Sequence, residues 1–157
     1  MKCASLFALL ALGLASAAHA GAADQVGATH AWIRVLPGAL PAGGYVTLQN
    51  RGDAPVALTG ARSTVYGEVM LHHSSTEGGM SRMAMVDSLP IPAHGSVVLG
   101  PGGYHLMLMK PAAPVVPGDQ VKLVLQFGDG SSLPVDFSAR PANALEDEPT
   151  SPAHAGH

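Results

Sequence analysis

A chain of 157 residues with a formal net charge of −3 and only 12% charged residues carries no basic patch, which sets nucleic acid aside as a partner. A hydrophobic share of 47% is enough to fill one packed domain, and a single cysteine, Cys3, rules out a disulfide framework.

Residues 1–20 follow a different logic from the rest. Lys2 supplies a positive start, "ASLFALLALGLASAA" is an apolar run too short to span a bilayer, and "AHA" (18–20) offers a small-residue cleavage site. The segment reads as a cleaved signal peptide, with cleavage after Ala17 as the weaker alternative. Cys3 lies before the apolar run and not at the junction, so it does not read as a lipid-bearing cysteine. From residue 21 on there is no cysteine, so an exported product must hold its core by burial alone. The same absence excludes a thiol nucleophile, a thiolate zinc site and a blue-copper centre.

Next come short apolar segments separated by Gly, Pro, Asn and Asp. In chain order the candidate strands are 27–35, 43–50, 55–63, 67–73, 80–87, 95–100, 103–109, 119–127 and 132–139. Between them stand turn signals such as "NRGD", "TEGG", "PAHG", "GPGG" and "GDGS". No helical periodicity persists, so the expectation is one all-β domain over 21–140, an antiparallel Greek-key sandwich or barrel. After Pro141 the acidic, proline-containing run 141–157 has little to bury and reads as a disordered tail.

All six methionines after residue 21 fall between Met70 and Met109, and four of the seven histidines share that window. Strand parity then sorts them. In "GEVMLHH", Val69, Leu71 and His73 share one face, Met70 and His72 the other. In "SRMAMVD", Met83 and Met85 share a face. In "GYHLMLM", His105, Met107 and Met109 oppose Tyr104, Leu106 and Leu108. For any single Met, filling a core gap is the ordinary role. Three strands that each offer a thioether or imidazole face argue for something else. Thioether is soft and never protonated at ordinary pH, which selects Cu(I). Zinc takes thiolate, imidazole or carboxylate, and calcium and magnesium take oxygen.

Ten residues separate His72 from Met83, twenty-one separate Met83 from His105, and one precedes Met107. On this H-x10-M-x21-H-x-M spacing, with "HAWIRVLPGALPAGGYVTLQN" and "LPIPAHGSVVLGPGGYHLMLM" around it, the chain resembles the PCu(A)C family of periplasmic copper chaperones over about residues 30–139. The resemblance implies a cupredoxin-like sandwich with Cu(I) near one edge, held by His72, Met83, His105 and Met107. It further implies a periplasmic protein that delivers copper to the binuclear CuA site of cytochrome c oxidase subunit II, in some relatives alongside a Sco-type thiol protein; a monomer is the expected state. Many relatives have Met directly after the first histidine, where this chain has His73, an auxiliary imidazole. Met85 and Met109 are candidate auxiliary thioethers, with Met80 beside them. Histidine-rich tails of relatives imply a second copper, as Cu(II), at His154 and His157.

His94 reads as a turn residue and His30 as a core or surface one. No nucleophile elbow, paired carboxylates or phosphate-cradling loop appears, so the chain does not read as an enzyme. Rival readings are a copper-dependent redox or copper-storage protein, and an exported sandwich whose Met face binds a protein or apolar ligand without metal.

Overall fold

Period-two alternation becomes ten strands and one helical turn in the computed structural model, which describes residues 20–145. In chain order these are α1 (Ala22–Gln25), β1 (Val26–Arg34), β2 (Ala42–Asn50), β3 (Val56–Ser63), β4 (Tyr66–Glu77), β5 (Met80–Met85), β6 (Leu89–Ile91), β7 (Ser96–Leu99), β8 (Tyr104–Pro111), β9 (Gln120–Phe127) and β10 (Ser132–Arg140). All nine anticipated strands are present. The additional one, β6, is three residues long, with Leu89 and Ile91 buried and Pro90 turned outward. Among the described residues it pairs with β3 alone, at the sheet's edge, a place where a strand tolerates proline.

The strands run β5-β4-β8-β2-β1-β10-β9-β3-β6, with β7 also on β2. Pairings are antiparallel except one. β1 and β10 run parallel, from Trp32 opposite Ser138 to Arg34 opposite Arg140. The path does not close, yet β3 lies against β4, so the sheet doubles over into the two layers of a cupredoxin-like sandwich. Ile33, Leu48, Leu58, Leu71, Leu106, Leu108, Leu123, Leu125 and Phe137 fill the space between, all but sealed from solvent. Each such side chain contributes about 1.5–3 kcal/mol on burial, and without disulfides this is what holds the domain.

Two polar devices close the ends. Asn50, fully buried, donates from Nδ2 to the carbonyls of Ala54 (2.8 Å) and Ile91 (3.2 Å) and accepts the Gly52 amide at 2.9 Å. At the chain's start, the Ala22 amide donates to Asp129 Oδ2 (2.7 Å) and the Ala23 amide to Ser131 Oγ (3.0 Å). Of the segment expected as a tail, residues 141–145 are described. Ala144 is buried with Trp32 and Tyr45, and Arg34 Nη2 donates to its carbonyl at 3.3 Å. The expected signal peptide and residues 146–157 lie outside the described residues, apart from Ala20.

Candidate metal centre

Three adjacent strands at one edge of the sheet, β5, β4 and β8, carry the soft donors. Leu71, Leu106 and Leu108 face the core, so parity sends the intervening side chains to the outer face. The cross-strand register then fixes who stands beside whom. His72 faces His105 on one side and Met85 on the other. One step along, Met70 faces Met107, and one step the other way Met83 faces Ser74. Met109 faces Glu68 at the far end of the strip.

Thus all four signature residues share one face, in three neighbouring rows. The histidines occupy the middle row, with Met83 and Met107 in the rows on either side. Met85, not Met83, is the thioether directly across from His72. Met70 belongs to the same face; alternation placed it there, but no spacing pointed to it.

The histidines meet edge to face, ring centroids 5.8 Å apart at an interplanar angle of 75°. His105 is buried, and its Nδ1 lies 3.0 Å from the carbonyl of Gly103. A carbonyl only accepts, so Nδ1 carries the proton and the Nε2 lone pair is left for a ligand, the arrangement metal-binding imidazoles favour. His72 Nδ1 is buried and has no hydrogen-bond partner. Burial, and secondarily the nearby His105, push the His72 pKa below its ordinary value, which keeps the ring neutral and its lone pair available. Among the described residues no group of three or more His, Cys, Asp or Glu comes together. What converges instead is imidazole with thioether, a donor set suited to a soft monovalent cation.

The methionines of β5 do not fill a core. Met83 is 54% exposed and Met85 67%, a costly way to spend apolar surface unless sulfur is wanted at the surface. β5 is carried by a tight hairpin, in which Gly78 and Gly79 at positive φ (58° and 79°) form a two-residue turn between Glu77 and Met80. The hairpin overhangs the start of β8, where the Ser74 amide donates to Gly103 as the last link.

Other candidates fall elsewhere. His73 points to the opposite face and stacks on Tyr104, centroids 4.3 Å apart, so it does not join the donors. Met80 shares its parity with Arg82, away from Met83. His94 turns at positive φ before β7 and sits 2.7 Å from Asp53. His30 lies on an irregular stretch of β1 beside Thr29 Oγ1 at 3.2 Å. His154 and His157 lie outside the described residues.

The family model for LpqE-like lipoproteins matches residues 26–139. A protein of Leifsonia xyli subsp. xyli (strain CTCB07) named as a lipoprotein, Lxx21020, is 33% identical over 127 residues, 77% of this chain and 76% of that one. Among solved structures, the Cu(I) form of DR1885 from Deinococcus radiodurans is 34% identical with a TM-score of 0.58, covering 73% of this chain and 76% of that one. Its apo form is 30% identical at the same TM-score, covering 90% and 94%. The copper-bound PCuAC domain of PmoF2 matches at a TM-score of 0.64 and 23% identity, over 78% and 98%, a likeness of fold.

Proposed function

The chain belongs to the LpqE-like, or PCu(A)C, family, and on that premise we propose that it is an exported, periplasmic copper chaperone that carries Cu(I) on the β5-β4-β8 face. The ligands are His72, Met83, His105 and Met107. The observation that carries the reading is the histidine pair: two imidazoles 5.8 Å apart, one with a buried, partnerless nitrogen and the other with its proton fixed on Nδ1. They are flanked on the same face by thioethers that do not pack into the core.

Copper is cargo here, and the chemistry is ligand exchange. Neutral nitrogen and sulfur donors leave Cu(I) its single charge, so the ion is held by soft covalency and not by countercharge. An acceptor offering thiolate or additional imidazole can then displace the donors one by one. The strip's exposure at a sheet edge gives a partner access without unfolding. The acceptor in this reading is the binuclear copper site of cytochrome c oxidase subunit II, with a Sco-type thiol protein as co-worker, and the chaperone acts as a monomer without catalysing a reaction of its own. A redox role fits less well, because thioethers are poor donors for Cu(II). A metal-free docking face leaves the partnerless His72 nitrogen without a purpose.

The test is anaerobic Cu(I) competition against a chromophoric chelator with Met107→Leu and His105→Phe. Both should lose affinity while remaining folded; unchanged affinity in both would remove the copper reading.

A further inference from the structure

Arg34 and Arg140 are two cations held side by side. They face each other across the parallel pairing of β1 and β10, and their guanidiniums approach the same Trp32 ring, 5.4 and 5.2 Å from its centroid. The indole offsets part of each charge, and Arg34 also lies 5.5 Å from the Tyr45 ring. Neither arginine has a counter-ion. Ion pairs among the described residues join His94 to Asp53, Lys110 to Glu68 and Lys122 to Asp136. Arg34 Nη2 donates to the Ala144 carbonyl, but Arg34 Nε and Arg140 Nη1 are buried without an acceptor. Adjacent like charges, each with an orphaned donor, are costly to keep unless an anion completes them.

Their place in the sheet points to the source of that anion. Ile33, Phe137 and Ala139 face the core, so parity puts Arg34 and Arg140 on the outer face. The register carries their row through Gly43 to Met107, two strand spacings or about 10 Å from Arg34. No side chain at Gly43 comes between, and the Tyr45 hydroxyl lies within 2.5 Å of where a Cβ would stand there. A stable contact covers about 800 Å² on each partner, so a protein that reaches Met107 also covers the arginines. The four donors are neutral and Lys110 is offset by Glu68, so the arginine pair lends this side of a chain of net charge −3 a positive rim.

We propose that Arg34 and Arg140 form a carboxylate subsite at the border of the copper face, filled by an acidic segment of the protein that receives the ion. This rests on the copper reading and leaves the site of His72, Met83, His105 and Met107 as it stands. Both arginines are half-buried, so each keeps an open side, and two planar forks suit the paired oxygens of a carboxylate. Engagement there holds the acceptor level with Met107 and favours encounter with acidic partners.

The experiment uses two peptides, each with a pair of cysteines, one flanked by glutamates and the other by glutamines. Added to the copper-free, 15N-labelled full chain, the glutamate peptide should shift the Nε–Hε signals of Arg34 and Arg140, and the glutamine peptide should not. From the Cu(I)-loaded chain under anaerobic conditions, transfer to the glutamate peptide should be about tenfold faster than to its counterpart. Arg34→Gln and Arg140→Gln should erase that difference with Cu(I) affinity unchanged, whereas Arg62→Gln, on exposed β3 surface, should keep it. Equal transfer rates, or arginine signals that stay in place, overturn the proposal without touching the metal site. In the absence of peptide, Glu146→Gln, Asp147→Asn and Glu148→Gln together should leave the arginine signals unmoved. A shift there would give the subsite to the chain's own acids and overturn the partner reading. If the chain takes up no Cu(I), the copper reading falls and this proposal with it.

Discussion

His72 and His105 face each other across β4 and β8, and the His105 ring adds to burial in raising the cost of charging His72. His72 is already disfavoured as a cation by burial, so its folded pKa lies below the unfolded value of about 6.5. Below that value the unfolded chain binds more protons at this residue than the folded one. Stability therefore falls as pH drops from about 6.5 through the lowered folded pKa, then levels off. Urea midpoints of the copper-free protein should decline between pH 7.5 and pH 5, and His72→Leu should decline less. A variant with the wild-type slope would show that His72 is not the source.

Met107→Leu separates ligation from packing. The swap keeps volume and should cost less than about 1.5 kcal/mol of stability. Cu(I) affinity should nevertheless fall at least about tenfold, or about 1.4 kcal/mol of binding free energy. Met80→Leu, on the other face of β5, should leave affinity unchanged in the same competition assay.

The hairpin turn is a lever on the donors that β5 carries. Gly78 and Gly79 at positive φ accept no β-branched side chain without strain, so Gly79→Val should cost about 1–2 kcal/mol locally. It should fray β5 and weaken Cu(I) binding to about the level of Met83→Leu, as read by competition and by amide exchange over 75–85. Gly78→Asn keeps the turn type and should bind like the wild type.

Asn50 provides the opposite control. Replacing it with Leu strands the carbonyls of Ala54 and Ile91 and the amide of Gly52. The expected loss is about 2–3 kcal/mol in chemical denaturation. Copper affinity should not move, because Asn50 pairs with Val26 at the far end of β1 from the donors.

Strand parity made much of this legible before any fold was in hand. The leucine faces of β4 and β8 are the core, and His72 was separable from His73 because only one of them alternates with Leu71. Parity speaks of one strand at a time, however. It assigns a face and says nothing about which residue stands across. That is why parity gave Met83 and Met85 the same face, leaving the choice to spacing, and why only the register shows Met85 opposite His72 and Met70 opposite Met107. β6 was hidden by Pro90 and Pro92, which read as loop although Leu89 and Ile91 are buried. Asn50 read as the first letter of a turn. It does begin one, but its amide also stitches that turn to β6.

The parallel pairing of β1 with β10 has a consequence for how the molecule presents itself. One line of paired residues crosses the sheet through Arg140, Arg34, Gly43, Met107 and Met70, so the sulfur strip lies level with the point where β10 ends. The opening residues are fastened at the other pole, to Asp129 and Ser131, roughly 27 Å away along β1. A tether at the front of the chain would hang the domain like a lantern, its metal-bearing side turned outward from whatever surface holds the cord. Ala144, packed on Trp32 and Tyr45 near the end of the described chain, stands instead toward the same pole as the cargo.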